Sequence, residues 1–154
     1  MSQLEVRIVH LEPMRVVGAH GFGESPEGEA WDKLLAWANP KGLLDDREAV
    51  RFFGFNNPNP SPGSPNYGYD QWMTVGPEVE GEGDVKILDF PGGLYAVTRC
   101  EGLSNIGEVW KRLVTWREDS PYKKAHHQWL EEYLSPLGVQ PEEFVFDLYL
   151  PIAE

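Results

Sequence analysis

Gly28-Glu29-Ala30-Trp31-Asp32-Lys33-Leu34-Leu35-Ala36-Trp37 and Gly107-Glu108-Val109-Trp110-Lys111-Arg112-Leu113-Val114-Thr115-Trp116 are two copies of one motif. Gly, Glu, Trp, a basic residue, Leu and Trp recur in order, each 79 positions after its first copy. The match extends upstream, where Gly23 and Ser25 are followed at the same spacing by Gly102 and Ser104. Agreement at this many positions marks an internal duplication. The first copy carries helix signals. Ser25 stands where a cap belongs, Pro26 falls in the first turn, and Glu27 and Glu29 follow. Trp31, Leu34, Leu35 and Ala38 form an apolar stripe, and Pro40 and Gly42 end it. The second copy predicts a helix from about Ile106 to Trp116, with Ile106, Val109, Trp110, Leu113 and Val114 on one face.

Around each helix lie strand patterns. Leu4 to His10 alternates, and Met14 to Ala19 reads as a second strand ended by Gly21 and Gly23. Val50–Phe55, Tyr69–Val75, Val85–Phe90, Leu94–Cys100 and Phe144–Leu150 are further strand candidates. The last echoes the first half at an offset of 77, Tyr69-Asp70-Gln71-Trp72 against Phe146-Asp147-Leu148-Tyr149. Asn56 to Gly68, rich in Pro and Asn, predicts an irregular loop. Glu78 to Asp84 is acidic and Gly-rich, and reads as the connection between halves. His126 to Leu134 has a composition that allows a helix. The repeat argues for an extended chain, because at an offset of 78 Leu130-Glu131-Glu132-Tyr133 falls on Phe52-Phe53-Gly54-Phe55. In a strand Glu131 and Tyr133 point to one face. Each half thus reads as a strand pair, a helix and further strands. The expectation is an α+β protein of mainly antiparallel sheets, one domain over residues 1–154 with a repeat of about 1–79 and 80–154. Two like units usually pack about a pseudo-twofold axis, with a cleft at the seam.

Composition bounds the function. The 154 residues include 41% hydrophobic and 12% aromatic side chains, enough for a real core. The net charge of −12 argues against binding nucleic acid or an anionic membrane, and is compatible with cationic small molecules. The single cysteine, Cys100, excludes an intrachain disulfide framework and a Cys-based zinc site. No apolar stretch approaches the roughly 18–20 residues that span a bilayer. The N-terminus lacks a charged start and apolar run, so no signal peptide is expected and a cytoplasmic location is the default. His126 and His127 lie near Glu131 in sequence, but adjacent histidines point apart on any regular element, and no metal is expected. No nucleophile elbow, phosphate loop or dinucleotide fingerprint is present, so no cofactor is expected.

The chain resembles the GyrI-like small-molecule-binding domain, which also serves as the effector-binding domain of AraC-type and MerR-type regulators. Met14 to Gly21 followed by the Trp31-to-Trp37 helix fits the family's opening. Phe53-Gly54-Phe55-Asn56-Asn57-Pro58 fits its strand and Pro loop. Tyr69-Asp70 precedes a core strand, and Phe90-Pro91-Gly92-Gly93-Leu94-Tyr95-Ala96-Val97 is very like its central strand entry. Leu130-Glu131-Glu132-Tyr133 looks like its Glu-x-Tyr element, and Asp147-Leu148-Tyr149-Leu150-Pro151-Ile152 like its closing strand. The resemblance implies two SH2-like β-α-β-β modules about a pseudo-twofold. It also implies an aromatic-lined pocket with a glutamate at its base, here Glu131, for lipophilic and often cationic aromatic compounds. The regulators' DNA-binding helix-turn-helix has no room here, which makes a stand-alone module the expectation. Some relatives resemble hydrolases that open cyclopropane rings of DNA-alkylating toxins. In such an enzyme Glu131 would be catalytic. Part of the family resembles inhibitors of a DNA topoisomerase, although no surface motif here identifies a protein partner.

A pocket for lipophilic cations needs polarisable walls and a counter-charge. Each aromatic face contributes about 0.5–2 kcal/mol in favourable cation–π geometry. A buried carboxylate contributes more but costs several kcal/mol to hold unpaired. Its pKa should therefore rise in an empty pocket and fall when a cation enters. Tyr133 is the expected neighbour of Glu131, as wall or hydroxyl donor. Trp110 starts the second helix's apolar stripe and is the next candidate, with Trp31 its first-half copy. Tyr149 and Tyr95 lie in strands on the expected seam, and Phe53, Phe55, Tyr69 and Trp72 are their first-half counterparts. For each of these aromatics, plain core packing is the competing role.

Overall fold

A computed structural model of the chain describes residues 4–46, 49–57 and 66–154. The chain divides into two compact units, Met14–Phe90 and Met1–Pro13 with Pro91–Glu154. In the first unit, β2 (Met14–Gly23) is central. It pairs antiparallel on one side with β4 (Tyr67–Thr74) and on the other with β5 (Lys86–Phe90). β3 (Phe52–Asn56) completes the order β3-β4-β2-β5. In the second unit, β6 (Gly93–Glu101) pairs antiparallel with β1 (Arg7–Leu11) and β9 (Val145–Ala153). The other edge of β9 carries β8 (Leu130–Tyr133) and, further along, the two-residue β7 (Lys123–Lys124).

The first two strands of each half, β1 with β2 and β5 with β6, therefore do not pair with each other as the repeat suggests. β1 pairs with β6 and β5 with β2, so each half of the chain supplies its first strand to the sheet built mainly by the other half. The architecture is the expected α+β one, with antiparallel sheets and two helices.

Helix α1 (Pro26–Ala38) and helix α2 (Ile106–Glu118) are each 13 residues long. Pro26 occupies the first helical turn of α1, where its missing N–H costs nothing, and Glu27 and Glu29 lie in that turn. Ser25 holds the cap position, but its side chain makes no capping bond. The nearby Phe22 N–H is taken instead by the Glu29 carboxylate at 2.9 Å. Ala30, Leu34, Trp37 and Ala38 are the buried stripe of α1, a quarter turn from the expected one, and Trp31 is only half-buried. In α2, Leu113 and Arg117 are buried while Val109 and Trp110 are half-buried.

The Pro-rich loop expected over Asn56–Gly68 lies outside the described residues from 58 to 65, as does the extreme N-terminus over 1–3. Among the described residues no helix is long and apolar enough to cross a membrane.

Candidate ligand-binding site

β8 is extended over Leu130–Tyr133, the segment for which composition allowed a helix. Its register on β9 sorts the side chains. Glu131 stands opposite Leu148 and Tyr133 opposite Phe146, while Leu130 stands opposite Tyr149 and Glu132 opposite Asp147. Directly opposed residues share a face and neighbours along a strand alternate. Glu131, Tyr133, Phe146 and Leu148 therefore share one face, with Thr98 and Cys100 of β6. Leu130, Glu132, Asp147 and Tyr149 share the other, with Tyr95, Val97 and Arg99.

Helix α2 contributes to the Glu131 face. Trp110 Nε1 donates to Glu131 Oε2 at 2.8 Å. The Trp110 ring lies 5.2 Å from that of Trp129, and Trp129 is 39% exposed. The Arg117 guanidinium lies 5.9 Å from the Trp129 ring centroid and donates to Pro151 O at 3.1 Å. The Glu131 charge is also felt by Cys100. The buried thiol is pushed up first by desolvation, then by Glu131 and Glu101. Tyr133 sits deeper, edge-on to Phe144 at 5.1 Å and Phe146 at 5.8 Å, and its hydroxyl donates to Pro136 O at 3.2 Å.

Tyr95 and Tyr149 are on the reverse face. They meet edge-to-face at 5.4 Å. The Tyr149 hydroxyl donates to Glu132 Oε1 at 2.7 Å, and the Tyr95 hydroxyl to Gln128 O. Burial pushes the Tyr95 phenol well above its usual range. Asp147, cross-strand from Glu132, accepts from Arg99 Nε at 2.7 Å and pairs with Arg7 at 2.9 Å. The second unit thus carries two carboxylate environments back to back. One sets Glu131 against the Trp110 indole N–H, with Trp129 beside it. The other joins Glu132 and Asp147 with two arginines and a tyrosine.

In the first unit Trp31 packs on Phe52 at 5.1 Å, and Phe55 and Phe90 flank Trp72 at 4.9 and 5.3 Å. Arg51 lies 5.0 Å from the buried Phe53 ring. Tyr69 lies across Gly54, where an added Cβ would come 2.1 Å from the phenol oxygen. Register also corrects one correspondence between the halves. Gly54 faces Gln71 as Glu131 faces Leu148, an offset of 77 on both strands. The counterpart of Glu131 is therefore Gly54, and Phe53 corresponds to Leu130.

Two participants escaped the sequence reading. Trp129 is two residues before Glu131, so period-2 alternation was the available signal for it. Glu132 was passed over because family resemblance pointed to its neighbour. Among the described residues no trio of His, Cys, Asp or Glu is placed to hold a metal ion.

Sheet order and helix placement define the class, an α+β protein of antiparallel sheets and two helices. The model of the GyrI-like small molecule binding domain matches residues 4–153, and the chain belongs to that family. The fold is similar to the C-terminal domain of EcmrR, at 12% identity over 98% of both chains with a TM-score of 0.74. It is also similar to a hydrolase from Listeria innocua, at 14% identity over 99% of this chain and 94% of that one, TM-score 0.70. A third likeness is to SAV2435, solved bound to tetraphenylphosphonium, at 12% identity over 97% of this chain and 94% of that one, TM-score 0.57. Comparison with curated protein sequences gives no match. At these identities the structural likeness is one of fold.

Proposed function

We propose that the protein binds lipophilic, often cationic, aromatic small molecules on the Glu131 face of the second unit. The carrying observation is the Trp110–Glu131 hydrogen bond. An indole N–H is a neutral donor. It satisfies one carboxylate oxygen without itself cancelling the charge. Trp110 and the exposed Trp129 supply flat, polarisable surface beside it, which tolerates ligands of varied shape. Tyr133 backs the acid from the same face. In this reading Tyr95 and Tyr149 stiffen the sheet from its reverse face, and Trp31, Phe53, Phe55, Tyr69 and Trp72 build the first unit. That SAV2435 was solved with a lipophilic cation supports the choice of ligand class.

Fluorescence titration with rhodamine 6G, a lipophilic cation, tests the proposal. Glu131→Gln keeps shape and a polar group but removes the charge. It is expected to weaken binding about tenfold, which corresponds to ~1.4 kcal/mol. Equal affinity of the two proteins would remove Glu131 from recognition. Chromatography of the recovered dye is expected to return it unchanged.

A further inference from the structure

Arg117 is a buried cation without an acid. It stands in the last turn of α2, is 5% exposed, and takes part in no ion pair among the described residues. Its Nη1 donates to Pro151 O at 3.1 Å, while its buried Nε meets no acceptor among the described residues. The next residue, Glu118, pairs with Lys124 instead, at 3.7 Å. What steadies the guanidinium is dipolar: the Pro151 carbonyl, the C-terminal end of α2, and the Trp129 ring at 5.9 Å. Dipoles lower the cost of a buried charge but leave the charge in place. A neutral donor could anchor α2 to Pro151 without burying a charge, so anchoring alone does not account for an arginine here.

Trp129 connects this charge to the Glu131 face. Trp110, Leu113 and Arg117 follow one another at i, i+3 and i+7 on α2, a stripe about 10 Å long. The Trp129 ring lies against both ends of it, 5.2 Å from the Trp110 ring and 5.9 Å from the Arg117 guanidinium. At the Trp110 end, the Glu131 carboxylate accepts from the indole nitrogen at 2.8 Å. The stripe thus has an acid at one end, a cation at the other, and an indole that is 39% exposed between them. A second cation laid on Trp129 shares the ring with Arg117 and is repelled by it, whereas a carboxylate in the same place is attracted. Neither effect requires contact with the guanidinium, because Coulomb energy falls only in inverse proportion to distance.

We propose that Arg117 sets the charge specificity of this face, which takes aromatic zwitterions in preference to plain cations. The cationic end of the ligand lies toward Glu131, its carboxylate toward Arg117, and its ring system on Trp129. This rests on the reading of the Glu131 face given above and narrows its ligand class.

Anisotropy titrations with rhodamine 6G and rhodamine 19 test it. The dyes share one xanthene cation, and rhodamine 6G is the ethyl ester of the carboxylate that rhodamine 19 leaves free. The wild-type protein is expected to bind rhodamine 19 about fivefold more tightly than rhodamine 6G. Arg117→Met keeps an apolar stem but no charge and should abolish that preference, whereas Arg117→Lys should retain it. Urea midpoints report whether the variants are folded, and the wild-type comparison depends on neither. Binding of neither dye by the wild type would overturn the Glu131 reading and this inference together. Binding of both dyes without a preference, or a preference that survives Arg117→Met, would overturn this inference alone.

Discussion

Cys100 is 1% exposed, and its thiol is held up by burial and by the charges of Glu131 and Glu101. Thiolate is the reactive form, so both access and ionisation oppose modification. The native protein at pH 8 is expected to give no reaction with Ellman's reagent on the minutes scale, and full reaction in denaturant. Prompt labelling of the native protein would show that the Glu131 face opens. Tyr95 is a second residue whose titration differs between states. In the unfolded chain it ionises near pH 10, whereas the buried phenol keeps its proton to higher pH. The stability tied to this proton is fully present below about pH 10 and is lost as pH rises above it. The urea midpoint should therefore fall between pH 9 and pH 11, and by less in Tyr95→Phe. An equal fall in both proteins would place the alkaline sensitivity elsewhere. Glu131 was legible in sequence because the Glu-x-Tyr pattern names it. That Tyr95 and Tyr149 occupy the reverse face was not, because the face of a strand residue depends on pairing register, which no local pattern specifies.

At the scale of elements, α1 and β2 touch through a glycine. A Cβ at Gly21 would lie 2.2 Å from the Pro26 carbonyl oxygen and 3.0 Å from Ala30 N. Backbone cannot yield as a side-chain tip can, so Gly21→Ala must push the first turn of α1 off the sheet. An overpacking cost of about 1–3 kcal/mol is expected, read as a lower urea midpoint. No change would mean that the helix start is looser than its contacts suggest. The counterpart of Gly21, 79 residues on, is Cys100, so the second unit accommodates a small side chain at the same register position. The duplication made most elements legible. It placed both helices and identified β8 as a strand against its helix-like composition. It misjudged β8 by one residue, and a one-residue slip in a strand exchanges every face. That slip is why Phe53, rather than Gly54, first stood as the counterpart of Glu131. β7 was missed altogether, since two lysines carry no strand pattern.

At the scale of the whole molecule, the exchange of first strands matters most. β1 is needed by β6, the strand that also carries Tyr95 and Cys100. A chain begun at Met14 keeps all four strands of the first unit and deprives the second of an edge. Hydrogen exchange should then accelerate in β6 while β2 and β4 keep their protection. Uniform acceleration in both units would show that they unfold as one. The repeat divides the chain near residue 79, whereas the compact units are Met14–Phe90 and Met1–Pro13 with Pro91–Glu154. The exchange was not legible, because adjacent strands in an α+β chain are ordinarily neighbours in the sheet, and nothing local marks the exception.

The same exchange imposes an order on biosynthesis. β1 leaves the ribosome well before its partner, since the paired residues Arg7 and Val97 are 90 positions apart. The strands of the first unit are complete once Phe90 has emerged. A vectorially made chain can therefore close one unit while β1, made before it, still waits with its backbone unpaired. In this fold β1 precedes every strand of the first unit in synthesis and follows them in being secured.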